Sequence, residues 1–166
     1  MGFMRAFGAL FAAIVLASCA PVNTSAQEGP VQITLQRTVC FGFCPDYTVT
    51  INEAGDVRYE GRRFVNAVGV RTATIAREDV QRLLARFDEI GFEQLRDEYR
   101  AEVTDLPSTI VTITRNGRTK RVVDYGGVGV GMPESVRELQ REIDRVAGTA
   151  QWVLRDGQPV RSRPEH

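Results

Sequence analysis

The feature that most constrains this chain is a change of hydrophobic period. From Val31 onward four successive segments read as strands, the first two with apolar side chains at every second residue, before any helical spacing appears. Val31, Ile33 and Leu35 alternate with Gln32, Thr34 and Gln36, and Tyr47, Val49 and Ile51 alternate with Thr48 and Thr50. Glu53-Ala54-Gly55-Asp56 is a turn signal, after which residues 57–61 read as a third strand. Residues 64–75, rich in β-branched side chains, read as a fourth, with Gly69 marking a bend or bulge. The spacing then switches. Val80, Leu83, Leu84, Phe87 and Ile90 share one face of a helix over about residues 77–90, with Glu78 and Asp79 in its first turn and Gly91 as its stop. A hairpin over residues 108–125 turns at Asn116-Gly117. A second helix over about residues 133–147 starts at Pro133, buries Val136, Leu139, Ile143 and Val146, and ends at Gly148. Strands in runs, not interleaved one by one with helices, predict an α+β fold. The expectation is a two-layer, mainly antiparallel sheet of about six strands with both helices packed on one face.

Ahead of this pattern the chain reads as an address. Arg5 and the initiating amine make a positive start, and residues 6–16 are uncharged and apolar. That run is shorter than the roughly 17–25 residues of a spanning helix, so it reads as a signal segment. Leu16-Ala17-Ser18-Cys19 resembles the bacterial lipobox at all four positions. The resemblance implies a lipoprotein signal peptide over residues 1–18, a diacylglyceryl group on the Cys19 sulfur, and palmitate or a similar acyl chain on the new amine. The competing reading is plain secretion with cleavage near Thr24-Ser25-Ala26. Each buried methylene contributes about 0.8 kcal/mol, so several chains on one residue hold firmly. Ala20, where Asp would favour inner-membrane retention, points by analogy to the outer membrane, facing the periplasm. Residues 19–30 lack a hydrophobic period and contain two prolines, as a lipidated tether would. The globular domain then covers residues 31–154, with Trp152, Val153 and Leu154 packing back on it. Residues 155–166 read as a polar tail.

Three cysteines are an odd number for an exported chain. Lipidation of Cys19 leaves Cys40 and Cys44 as an even pair in an oxidising compartment. In Cys40-Phe41-Gly42-Phe43-Cys44-Pro45 a turn at Gly42 brings the two Cα atoms into the roughly 4.4–6.8 Å range of a disulfide. So small a loop makes the bond a local staple. The alternative is thiol redox or Cu(I) handling, because C-x-x-x-C-P also resembles the copper motif of Sco-type thioredoxin-like proteins. That family adds a distant His and sets its Cys pair at a helix start. The single His here is His166, in the tail, and Pro45 leads into alternating, strand-like sequence.

Within the folded part, R-T-x-C-F-G-x-C-P-x-Y at residues 37–47 is followed by G-x-V-x-Y-x-G at 55–61 and T-D-L-P-S-T at 104–109. D-Y-G-G at 124–127 and I-D-x-V-A-G-T-A-x-W-V at 143–153 complete the set. Together they resemble a bacterial family catalogued as domain of unknown function 6438, over roughly residues 31–153. The resemblance implies a domain and carries no activity with it. Ala76 stands where a Ser-like helix cap is expected, which weakens the first helix.

Composition narrows the chemistry. The chain has 166 residues, 21 basic and 21 acidic, with no formal net charge, which argues against nucleic acid as a partner. Lys120 is the only lysine; the arginine excess reads as codon usage, not phosphate recognition. Arg115, Arg118, Lys120 and Arg121 make the hairpin tip basic, able to grip an anionic partner or simply solvated. Gly126 to Gly131 lies between strand and helix but lacks the Lys-Ser/Thr of a phosphate loop, although its helix start offers a place for a small anion. Asp105 and Asp124 are the one carboxylate pair considered for hydrolysis; turn-shaping and capping are the plainer roles. No catalytic, metal or cofactor residues are expected. The reading is a non-catalytic, membrane-tethered, disulfide-stapled domain that binds an envelope protein or a small ligand.

Overall fold

Side-chain parity carries over into three dimensions. The computed structural model describes Gly2 and residues 30–161. Cys19 and its lipobox, residues 19–29 of the tether, and His166 lie outside the described residues. Strands β1 (Gln32–Arg37), β2 (Asp46–Asn52), β3 (Asp56–Arg63) and β4 (Gly69–Thr74) form an antiparallel meander. Its register sets Ile33 beside Ile51 and Ile51 beside Val57, and likewise Leu35, Val49 and Tyr59. All six are buried, whereas the intervening Thr34, Thr48 and Thr50 are only half-buried. One face of the sheet is therefore apolar and the other polar.

The remaining elements are helix α1 (Arg77–Glu89), a 3-10 turn (Phe92–Gln94), β5 (Glu98–Arg100), β6 (Thr109–Arg115), β7 (Arg118–Tyr125), a second 3-10 turn (Gly127–Val130) and helix α2 (Glu134–Ala147). A short helix α3 (Ala150–Val153) and a two-stranded ribbon, β8 (Leu154–Arg155) with β9 (Gln158–Pro159), follow. The main sheet runs β4-β3-β2-β1-β6-β7-β5, so β1 lies at its centre. β5 joins β7 in parallel while every other pair in that sheet is antiparallel. The fold is α+β, but the sheet is mixed and has seven strands instead of about six, and a third helix joins the expected two. β5 has only three residues, and Tyr99 is its one apolar side chain, so no alternation announces it.

Buried side chains of α1 (Val80, Leu83, Phe87) and α2 (Val136, Leu139, Ile143) join the inner-face residues of the sheet in one core. Arg86 of α1 also reaches Glu138 of α2 at 2.7 Å. Ala76 caps α1 without a side-chain bond, as its sequence implies. Pro133 sits just before α2, at the capping position rather than inside the first turn. Asn116 and Gly117 have φ of +52° and +69°, the two left-handed residues of a type I′ hairpin turn.

Two segments depart from expectation. Residues 64–68 are a loop, and β4 begins only at Gly69. The Asn66 and Ala67 N–H groups donate to the Val153 and Trp152 carbonyls, so this backbone is satisfied by α3 and not by a neighbouring strand. Past residue 154 the chain does not fray at once: β8 and β9 pair, and Val160 is buried. Between these segments Tyr59 stacks on Trp152 (5.0 Å) and on Tyr47 (5.6 Å). Among the described residues its hydroxyl is buried without a hydrogen-bond partner, and burial pushes its pKa up to about 12.

Candidate functional site

The parity that buries Ile33 and Leu35 also turns Arg37 to the inner face. Register then extends a polar row across the sheet: Arg37 lies between Tyr47 on β2 and Thr109 on β6, Thr109 beside Asp124 on β7, and Asp124 beside Tyr99 on β5. Helix α2 covers this row with Gln140 and Asp144, one turn apart on the same side. Asp144 Oδ2 accepts from Arg37 Nε at 3.0 Å and Nη2 at 2.7 Å. Its Oδ1 accepts from the Tyr47 hydroxyl at 2.6 Å and the Thr149 hydroxyl at 2.8 Å. Arg37 Nη1 donates to Thr109 Oγ1 at 3.1 Å. Burial works against the charge on Arg37, but the facing Asp144 and Tyr47 oxygens outweigh it and raise its pKa. Burial, reinforced by Asp144, holds the Tyr47 hydroxyl well above the ordinary tyrosine value.

The second half of the row centres on Asp124, which is 5% exposed. Its Oδ1 accepts the Gly127 N–H at 2.8 Å, and its Oδ2 accepts from Gln140 Nε2 at 3.1 Å and Arg137 Nε at 3.4 Å. A Cβ at Gly127 would stand 2.9 Å from that carboxylate and 2.9 Å from the Tyr99 Cβ, so only glycine permits this approach. Between α2 and residues 106–107 lies a cleft of about 300 Å³, lined by Arg37, Thr109, Asp124, Arg137, Gln140 and Arg141, with Leu106 and Pro107 on its apolar side.

The connections β1–β2, β3–β4, β5–β6 and β7–α2 all lie at the same end of the sheet as the cleft, because their flanking strands run that way. Cys40 and Cys44 are joined by a disulfide in the first of these, with Cα atoms 5.6 Å apart. Phe41 and Phe43 in that loop are 89% and 56% exposed. The loop is tied to the β5–β6 connection by Phe41 N–H to the Asp105 carbonyl (3.2 Å) and Thr38 N–H to the Ser108 carbonyl (3.0 Å). Val68, Val103, Leu106, Val128 and Val130 are also exposed, each in one of these four connections, and Val70 is exposed at the start of β4.

The residues singled out from the sequence fall in different places. Cys40 and Cys44 are bonded, and Pro45 leads into β2, so no helix start faces their sulfurs. Asp105 is exposed with φ +70° and lines a separate cleft with Glu102 and Tyr125, whereas Asp124 caps the Gly127 turn. They are not assembled as a carboxylate pair. The Gly127 amide is taken by Asp124 and does not await an anion. Two of the basic hairpin residues are already neutralised: Arg115 pairs with Asp88 (2.6 Å) and Glu93 (2.7 Å), and Lys120 with Asp97 (2.5 Å).

Arg37, Tyr47, Thr109 and Asp144 were not marked as a site by sequence reasoning. The signal was present: extending each strand's inward parity by one position reaches Arg37 after Ile33 and Leu35, and Thr109 before Val111 and Ile113. Gln140 and Asp144 are polar residues beside the apolar seam of α2.

No curated protein matches the sequence. A family model described as Domain of unknown function (DUF6438) matches residues 31–147, from the start of β1 to the end of α2. With both halves of the polar row and the disulfide loop inside that match, the chain belongs to the DUF6438 family.

Proposed function

We propose that this chain is an envelope lipoprotein: a non-catalytic binding domain held by an acylated Cys19 in the outer membrane, facing the periplasm, and presenting the loop end of its sheet to another envelope component. The observation that carries this reading is the polarity of the domain. Among the described residues, all the exposed large apolar side chains but Val70 of β4 lie in the four connections at one end of the sheet, which suits contact with a partner. The chain enters β1 from the opposite end, so a tether from Cys19 attaches away from that surface. The disulfide suits an oxidising compartment and holds Phe41 and Phe43 in a closed five-residue loop.

Two measurements test it. Cells fed an alkyne fatty acid should label the chain, and Cys19→Ser should abolish both the label and recovery with the outer membrane. A full-length, unacylated polypeptide refutes the anchor. A photo-crosslinking residue at position 41 should trap a specific envelope protein that the same residue at position 116, across the domain, does not trap. Equal trapping at both refutes the loop surface. The thiol reading, redox or Cu(I) handling by Cys40 and Cys44, is separated by the reduction potential. A structural bond lies below about −300 mV, and a value near the strong oxidants favours the thiol reading.

A further inference from the structure

Three arginines, one from β1 and two from α2, meet at the cleft beneath α2. Arg37, Arg137 and Arg141 line it, and Asp124 is the one carboxylate among the lining residues. Asp144 pairs with Arg37 at 2.7 Å, and Glu134 with Arg141 at 3.5 Å; neither lines the cleft. The hydrogen-bond inventory is unbalanced in the same direction. A guanidinium has five N–H donors. Arg37 directs three of its five to Asp144, Tyr47 and Thr109, leaving one each on Nη1 and Nη2. Among the described residues Arg137 uses only Nε, on Asp124, and Arg141 only Nη2, on Glu134. Both oxygens of Asp124 are already taken, by Gly127, Gln140 and Arg137. The cleft thus holds many donors and few free acceptors.

We propose that this cleft is a binding site for the carboxylate or phosphate group of a small ligand, with the Arg137 fork and the free N–H groups of Arg37 as its principal contacts and Arg141 at its mouth. Planar guanidinium forks match both oxyanions bidentately. Arg37 is already pinned by Asp144, Tyr47 and Thr109, so little of its freedom is lost on binding. Leu106 and Pro107 on the far wall accept an apolar portion of the ligand. A volume of about 300 Å³ is at the small end of ligand sites, fit for one charged group and a short body. This deepens the binding reading by naming a ligand class at the same end of the sheet.

The test is titration of the disulfide-intact chain with inorganic phosphate and, separately, with succinate, at ionic strength held constant with sodium chloride. Binding is read by calorimetry and by chemical shifts of the arginine Nε–H groups. One or both anions should bind with millimolar affinity and move the Arg137 resonance, and Arg137→Gln should weaken binding about tenfold or more. Arg141→Gln, a substitution at an exposed side chain that folding tolerates, should weaken it severalfold. Arg58→Gln, on the polar face of the sheet, should leave it unchanged. Phosphate alone binding assigns a phosphorylated ligand, and succinate alone assigns a carboxylate. Failure of both to bind, or equal loss in Arg58→Gln, overturns the proposal. Crosslinking at position 41 would still report on the loop surface, so the two readings fail separately.

Discussion

Removing the Asp144 carboxylate should unravel the best-connected polar cluster of the domain. Asp144→Ala strips Arg37 of its ionic partner and leaves the Tyr47 hydroxyl, on a side chain that is 2% exposed, without its acceptor. Breaking one side of a buried pair costs about 3–5 kcal/mol. Here the two side chains are 24% and 20% exposed, so water reaches part of each charge and the ionic loss lies near the lower end. The orphaned Tyr47 hydroxyl adds about 1 kcal/mol. A total of about 3–4 kcal/mol corresponds to a fall in Tm of roughly 10 °C or more for a domain of this size. Trp152, the single tryptophan, packs against Tyr59 and reports urea unfolding by fluorescence. Arg37→Met combined with Asp144→Leu should be milder than either single change, because neither charge is then left buried alone. A loss below about 1 kcal/mol for Asp144→Ala would mean that water screens the cluster throughout and that no buried charge is stranded.

Three further outcomes follow from the same geometry. Gly61→Ala sets a Cβ 2.2 Å from the Ala67 carbonyl oxygen and 2.5 Å from the Tyr59 hydroxyl; it should destabilise by about 2–3 kcal/mol in urea melts. Tyr47 and Tyr59 have folded pKa values raised above the unfolded value of about 10, so their contribution is complete below that pH. Stability should therefore fall as pH climbs from about 10 toward 12, with absorbance at the tyrosinate band showing both groups ionising late; ionisation of either at its free value argues against their burial. Reducing Cys40–Cys44 should lower stability by at most about 2 kcal/mol and leave the far-ultraviolet spectrum unchanged, because the bond closes a five-residue loop outside the core.

The local elements were legible because each was written in a short stretch of chain. Alternation gave β1 and β2, Asn116-Gly117 gave its hairpin, and Gly91 and Gly148 marked the ends of their helices with φ near +65°. What alternation cannot express is a partner distant in sequence. Tyr99 enters the sheet only because β7 offers a free edge, and Phe64 leaves the strand pattern because α3, some ninety residues later, takes up the backbone beside it. The polar row is the same case: Arg37 and Asp144 are 107 residues apart, and neither is conspicuous until β1 and α2 are stacked. The arginine excess hid the point further, since composition could not tell the cleft arginines from those of the surface.

The central position of β1 has a mechanical consequence. The chain enters the domain through the first residue of that strand, and β2 and β6 clasp it along its whole length on both sides. A pull on residue 31, resisted at the β5–β6 or β7–α2 loops, runs along those ladders and loads their hydrogen bonds together instead of peeling them one at a time. An edge strand in that place would unzip under a modest tug. With β1 there, the domain can bear tension between residue 31 and the loop end of its sheet while keeping its fold.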